Sequence, residues 1–278
     1  HRVDRRQRQM CIRDSYHSGC KKVIEYIKAD IHNCGYKLIE SFGSNVKNIQ
    51  EAYTFIDKVD LVILNGEGSM HHNHRETPTK LLEVLGNAKG QGKKTALINT
   101  VWQEMKLDDR TIEVLKDSYV SCREIKSAQE FYKNKIDADI YLDLSYFCDV
   151  LPLEYDFSDI VVGRFFGTEY KREDAKVVDI FKDSWDVIVN KLRKANWFIT
   201  GRHHEMYAAC KAKCPFVVVS GNTWKNQALL ETAKVSIPFA KRIDQIPTLL
   251  KECQQYECEY DYFFNLSLIH ISEPTRPY

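Results

Sequence analysis

WFITGRHHEMYAACKAKCPFVVVSGNTWKNQALL, residues 197–230, is the stretch that decides the fold. Trp197-Phe198-Ile199-Thr200 is an apolar run of strand length, Gly201 breaks it, and Met206 to Lys213 has the composition of a helix that Pro215 stops. Phe216-Val217-Val218-Val219 is a continuous, largely β-branched run, as in a parallel strand buried on both faces, and Ser220-Gly221-Asn222 opens the next helix at Trp224. Both turns then fall at the carboxyl ends of neighbouring parallel strands, where open α/β sheets bind their ligands. One turn carries Arg202, His203 and His204; the other carries Ser220, Asn222 and Lys225. Cationic side chains backed by helix N-termini suit an anion.

The same β-then-α order extends in both directions. Towards the N-terminus the pattern predicts a helix over 21–33, with Val23, Ile24, Ile27 and Ile31 on one face, then strand 36–42, helix 47–57 and strand 61–64. That strand ends in Asn65-Gly66-Glu67-Gly68-Ser69, and a His-rich connection with His71, His72 and His74 leads to a helix over 78–89. Strand 94–99, helix 108–117, strand 119–122, helix 127–135 and strand 139–142 complete a first lobe, 16–152. The acidic, aperiodic segment 149–158 marks the boundary. The second lobe, 153–265, is expected to hold strand 159–163, a helix over 174–194, the central pair above, a strand near 235–239 and a helix from Asp244. Repeated β-then-α order predicts doubly wound parallel sheets. The expectation is an α/β protein of two Rossmann-like lobes facing a cleft.

Both ends are read differently. Residues 5–15, RRQRQMCIRDS, and 266–278, LSLIHISEPTRPY, look like translated sequencing adapter, as in a metagenomic fragment, which leaves 16–265 as the natural part, cut at both ends. The polar turn Tyr16-His17-Ser18-Gly19-Cys20 normally follows a strand, so the unrelated Met10-Cys11-Ile12 is expected to take that strand's slot. The chain has 40 basic and 39 acidic residues; residues 1–15 hold five Arg and two Asp, and 266–278 one Arg and one Glu, so trimming leaves 34 against 36. Near-neutrality argues against nucleic acid as a partner. No run approaches the ~18 apolar residues of a membrane span. The cysteines form no C-x-x-C pair, and most have apolar neighbours, which points to reduced thiols in the cytoplasm rather than a disulfide frame, and no metal site is expected.

Arg202-His203-His204, followed by Pro215 to Lys225, resembles the Arg-x-His signature and the Pro-started strand with its Ser/Asn/Lys turn found in the polysaccharide pyruvyl transferase family. Asn65-Gly66-Glu67-Gly68-Ser69 and Arg123-Glu124-x-x-Ser127 extend the resemblance over most of the chain, and Glu205 departs from it, standing where the family has a small residue. The resemblance implies a glycosyltransferase-B-like (GT-B-like) architecture. It also implies a transferase of exopolysaccharide biosynthesis, cytoplasmic and at most peripheral to the inner membrane face. Phosphoenolpyruvate would be the donor substrate, a sugar or polysaccharide precursor the acceptor, and no other cofactor is needed.

Ketal formation from phosphoenolpyruvate sets concrete needs: a cation for the carboxylate, donors for the phosphate, an acid for the methylene carbon and an acceptor for hydroxyl protons. A planar guanidinium grips a carboxylate or phosphate with two parallel bonds, which suits Arg202. Imidazole titrates near neutral pH, which suits His204 as the acid, as the resemblance implies. Arg123 either reaches the anion or ties lobe elements together with Glu124. Glu67 is the candidate acceptor, and Asn65, Gly66, Gly68, Ser69 and His17 line strand-end turns. Trp102 either stacks on a sugar or packs in the core. The alternative is a nucleotide-sugar glycosyltransferase of the same architecture, in which Lys225 and Glu231 hold diphosphate and ribose.

Overall fold

A computed structural model of the chain describes residues 8–13, 17–44, 46–72, 76–105 and 107–265. These residues divide between two compact units, one falling within 1–15 and 24–141 and the other within 16–23 and 142–278. The first unit thus ends at Tyr141, ahead of the acidic segment 149–158 that the sequence marked as the boundary. Leu142 is 5% exposed and packs in the second unit's core, together with Tyr146 and Val150.

In the first unit the strands are β1 (Arg8–Arg13), β2 (Lys37–Gly43), β3 (Leu61–Glu67), β4 (Lys94–Thr100), β5 (Tyr119–Cys122) and β6 (Asp139–Ile140). The helices are α1 (Ser18–Asn33), whose residues up to Val23 belong to the second unit, α2 (Val46–Ala52), α3 (Glu76–Gly90), α4 (Asp109–Lys116) and α5 (Ile125–Lys133). All pairings are parallel, in the order β2-β1-β3-β4-β5-β6. Met10-Cys11-Ile12 lies in β1, between β2 and β3. Val62, Leu64 and Leu97 of the sheet and Leu81, Leu85 and Phe131 of the helices are buried, each such side chain contributing roughly 1.5–3 kcal/mol of transfer free energy. The helix expected over 47–57 stops at Ala52 and tightens into a 3-10 turn, Tyr53–Lys58. Trp102 is 1% exposed, its ring 4.7 Å from that of Phe131, so it packs in the core and not on a sugar.

The second unit holds β7 (Ser158–Val162), β8 (Lys176–Val177), β9 (Ala195–Thr200), β10 (Phe216–Val219) and β11 (Phe239–Ala240). Its helices are α6 (Trp185–Leu192), α7 (His203–Ala212), α8 (Lys225–Thr232), α9 (Ile246–Cys253) and α10 (Glu257–Phe264). The sheet is parallel, in the order β11-β10-β9-β7-β8. Counted from β7, this is the same 2-1-3-4-5 winding as the first five strands of the first unit.

One helix over 174–194 does not form. Lys176–Val177 pairs with β7 instead, Asp179 accepts the Phe181 amide at 3.0 Å in a local turn, and the Ser184 hydroxyl accepts from Val187 N at 3.3 Å to start α6. A β-branched pair, an Asx turn and a Ser cap outweigh the apolar spacing. At 235–239 the strand shrinks to β11 because Pro238 has no N–H for the ladder. The helix expected from Asp244 begins at Ile246, with Pro247 in its first turn. Helix α7 starts at His203, three residues ahead of the expected Met206, so His203, His204 and Glu205 form its first turn.

Candidate active site

In the second sheet the winding reverses between β7 and β9, and ligands of such sheets bind at the carboxyl ends that flank this point. The two ends carry Gly163-Arg164-Phe165 and Gly201-Arg202-His203-His204. Arg202 is the N-cap of α7, in extended conformation (φ −113°, ψ 131°), and its amide donates to Thr200 Oγ1 at 2.9 Å. Its Nη2 donates to the Phe165 carbonyl at 3.2 Å, and the guanidinium lies 5.3 Å from the centre of the Phe181 ring and 5.8 Å from that of Phe166. Its Nε is buried with no hydrogen-bond partner among the described residues. A buried donor left unsatisfied is costly, and an anionic oxygen would satisfy it.

His204 follows on the same turn, 6% exposed, with Nε2 3.4 Å from Oδ2 of the fully buried Asp143. His17 packs edge-on against it, ring centres 4.8 Å apart. Between them the first turn of α1 comes so near that a Cβ on Gly19 would sit 2.7 Å from His204 Cβ and Cγ, so only glycine fits there. His17 accepts the Cys20 amide on Nδ1 at 3.3 Å, and its Nε2 is 3.2 Å from Cys20 Sγ. Burial, followed by the positive fields of His204, Arg202 and Lys225, lowers the His17 pKa to about 2, with Asp143 opposing. His17 therefore adds a dipole and no charge to the cluster.

Glu205 braces the turn from below. Fully buried, it accepts the Arg164 amide at 3.0 Å and the Thr200 hydroxyl, so it joins the loop after β7 to the end of β9. Burial pushes its pKa up to about 7 against the lowering effect of those bonds and of Arg202. Arg164 in turn pairs with Asp179, whose carboxylate also holds the Phe181 amide. Asn226, on α8, donates to the carbonyls of Gly201 and Val219 at 3.1 Å each and so ties the β9 and β10 turns together.

The structure therefore brings Arg202, His204, Lys225 and His17 into one electropositive cluster in the second unit. Asn222 stands beside it, accepting from Lys225 Nζ at 3.4 Å. Ser220 is exposed and directs its hydroxyl to the Lys241 carbonyl at 3.0 Å, towards β11. The remaining sequence candidates lie in the first unit. Asn65 Nδ2 donates to Glu67 Oε1 at 3.0 Å, and Glu67 is 2% exposed with φ 38°. A Cβ on Gly66 would collide with the Thr100 hydroxyl, so close packing against β4 requires glycine there. Ser69 caps the Gly66 turn through its amide at 2.9 Å, with Gly68 between them, and Arg123 is 1% exposed. Asp143, Cys20 and Glu205 escaped the sequence reading. The spacing His17-x-x-Cys20 was the one available signal.

No protein-family model and no curated protein matches this chain. Solved structures do. A functionally uncharacterised protein from Klebsiella pneumoniae superposes with a TM-score of 0.58 at 13% identity, over 85% of this chain and 94% of that one. The UDP-N-acetylglucosamine 2-epimerase from Rickettsia bellii gives 0.56 at 8% identity over 96% of each chain. The UDP-GlcNAc 2-epimerase from Neisseria meningitidis, solved bound to UDP-GlcNAc, gives 0.54 at 9% identity over 93% and 94%. The fold is GT-B-like. Its solved neighbours include enzymes that act on nucleotide sugars, and among the described residues no helix is long and apolar enough to cross a membrane.

Proposed function

We propose that the chain is a pyruvyl transferase that moves the pyruvyl group of phosphoenolpyruvate onto two hydroxyls of a sugar in a cell-surface polysaccharide or its precursor, in the cytoplasm. The observation that carries this reading is the buried, unsatisfied Nε of Arg202 at the sheet's switch point, beside Lys225 and His204. Two permanent cations within one small cluster suit a ligand that concentrates a carboxylate and a phosphate on three carbons. Phe166 and Phe181, 50% and 40% exposed, offer apolar faces next to the guanidinium.

In this reading Arg202 holds the carboxylate or phosphate and Lys225 the other anionic group. His204, oriented by Asp143, gives its proton to the methylene carbon, and C2 becomes cation-like. A first sugar hydroxyl adds to C2 and releases its proton to a base. A second hydroxyl then displaces phosphate, which leaves with the C–O bonding pair and takes up that hydroxyl's proton, and the ketal closes. Neutral His17 packs beside His204 without adding a third permanent charge.

A second reading, a nucleotide-sugar enzyme, is supported by the fold of the neighbours and better by that likeness than pyruvyl transfer is. The site supports it less. Lys225 and Glu231 sit six positions apart on α8, which at about 100° per residue turns them some 120° away from one another, so they do not share a face. The deciding experiment incubates the protein with phosphoenolpyruvate and sugar acceptors and follows phosphate release, with binding of UDP-GlcNAc and UDP measured in parallel. Acceptor-dependent phosphate release is expected; nucleotide binding with no response to phosphoenolpyruvate would replace the first reading with the second.

A further inference from the structure

His17, Cys20 and His204 each turn a ligand atom into one space. Cys20 Sγ and the two imidazoles place these atoms within 4.8 Å of one another, and His17 Nε2 and Cys20 Sγ are 3.2 Å apart. Zinc bonds of ~2.3 Å to sulfur and ~2.0–2.1 Å to nitrogen in tetrahedral geometry put ligand atoms roughly 3.4–3.6 Å apart, so side-chain shifts of about an ångström would close the set. The frame is already rigid. Cys20 is 2% exposed, His204 6% and His17 9%, and Gly19, between two of the ligands, is pressed against the third. Asp143, 3.4 Å from His204 Nε2, stands as the outer carboxylate that commonly orients a metal-bound histidine through its other nitrogen.

We propose that His17, Cys20 and His204 bind a single thiophilic divalent cation, of which Zn2+ is the type, with one coordination position left open, and that its occupancy withdraws His204 from proton transfer. The inhibitory half of this proposal rests on the reading of His204 as proton donor; the metal-binding half does not. His204 coordinates through Nδ1 and gives up to solvent the proton it would otherwise donate, while Nε2–H stays on Asp143. Cys20 gives up its Sγ–H proton to solvent as the S–metal bond forms. The His17 proton, on Nε2 while Nδ1 accepts the Cys20 amide, moves to Nδ1, and the long 3.3 Å bond from that amide is lost. The thiolate and Asp143 offset the charge of the ion beside Arg202 and Lys225. The sequence alone hides this set because His204 lies at the far end of the chain from His17 and Cys20.

The test titrates Zn2+ into the chelator-stripped protein by calorimetry and records the thiolate-to-metal charge-transfer absorption with Co2+, for wild type, Cys20→Ser, Asp143→Asn and the control Cys258→Ser at an exposed thiol. One Zn2+ per chain is expected. Asp143→Asn should weaken it about 10–100-fold, as loss of an outer carboxylate does, Cys20→Ser should weaken it further and abolish the charge-transfer band, and Cys258→Ser should do neither. Thermal melts check folding, and His17→Gln carries the same test should Cys20→Ser fail to fold. No binding, or binding and a cobalt band that survive both Cys20→Ser and His17→Gln, would overturn the proposal. Phosphoenolpyruvate binding measured in chelator stands apart, so the two readings fail independently.

Discussion

Both units wind their strands in the same 2-1-3-4-5 order, yet the polar residues at their strand ends do opposite things. In the first unit several of them bond to one another. Asn99 donates to Asn65 at 3.3 Å and Asn65 to Glu67 at 3.0 Å; the Glu124 carboxylate caps α5 by accepting the Lys126 and Ser127 amides at 2.7 and 3.1 Å; and Ser127 accepts the Trp102 amide at 2.7 Å. All of these polar side chains are buried. In the second unit Arg202 is half-buried, with its Nε unsatisfied among the described residues, and Lys225 and His204 add their fields to the same spot. Topology says where a ligand can bind.

Glu205 is the second unit's counterpart of Glu124: both are buried carboxylates at the start of a helix, Glu124 as the N-cap and Glu205 in the first turn. Its pKa is raised to about 7, above the ordinary ~4.3 of a glutamate. A raised carboxyl contributes stability that is present in full below the unfolded value and lost as pH rises through the folded value. The chain should therefore lose about 3 kcal/mol between pH ~4.5 and ~7.5 through this group. Urea midpoints across that range should slope downwards, and the slope should flatten in Glu205→Gln; an unchanged slope would break the parallel.

Removing Glu124 tests the other side of the comparison. Glu124→Ala strips the cap of α5 and leaves buried donors without an acceptor, so stability should fall by about 1–3 kcal/mol, read from denaturant midpoints. Anion affinity should not change. A loss of affinity larger than threefold, with little loss of stability, would move the first unit's knot from frame to site.

The smallest effect lies at the rim. Arg164 holds the Asp179 carboxyl below its usual range. A lowered carboxyl contributes stability that is present above the unfolded value, ~3.9, and is lost as pH falls through the folded one. For a partly exposed pair this is at most about 1 kcal/mol. Melts of Asp179→Asn and wild type should differ at pH 5 and converge below pH 3.

Much of this was legible in the residues. The runs at 61–64, 94–99, 119–122 and 216–219 became strands where expected, because continuous β-branched and apolar runs bounded by turns have few other solutions. The turns carrying Arg202 and Lys225 followed from those strands. The helix over 174–194 was misjudged because Val177-Val178, the Asp179 turn and the Ser184 cap are local signals that its apolar spacing concealed. Asp143 and Glu205 were not legible as parts of the site, and Cys20 only through its spacing from His17. Their meaning comes from neighbours far away in the chain, and Glu205, the residue that departs from the family pattern, turns out to be the brace beneath Arg202.

Whether the second unit's unspent guanidinium anchors an anion is tested by calorimetric titration of phosphoenolpyruvate into wild type, Arg202→Ala and Glu124→Ala. One site is expected in wild type, with an affinity lower by about 2–3 kcal/mol, or roughly 30–150-fold, in Arg202→Ala, and an unchanged affinity in Glu124→Ala. Equal binding by wild type and Arg202→Ala would contradict the assignment of the anion site to Arg202.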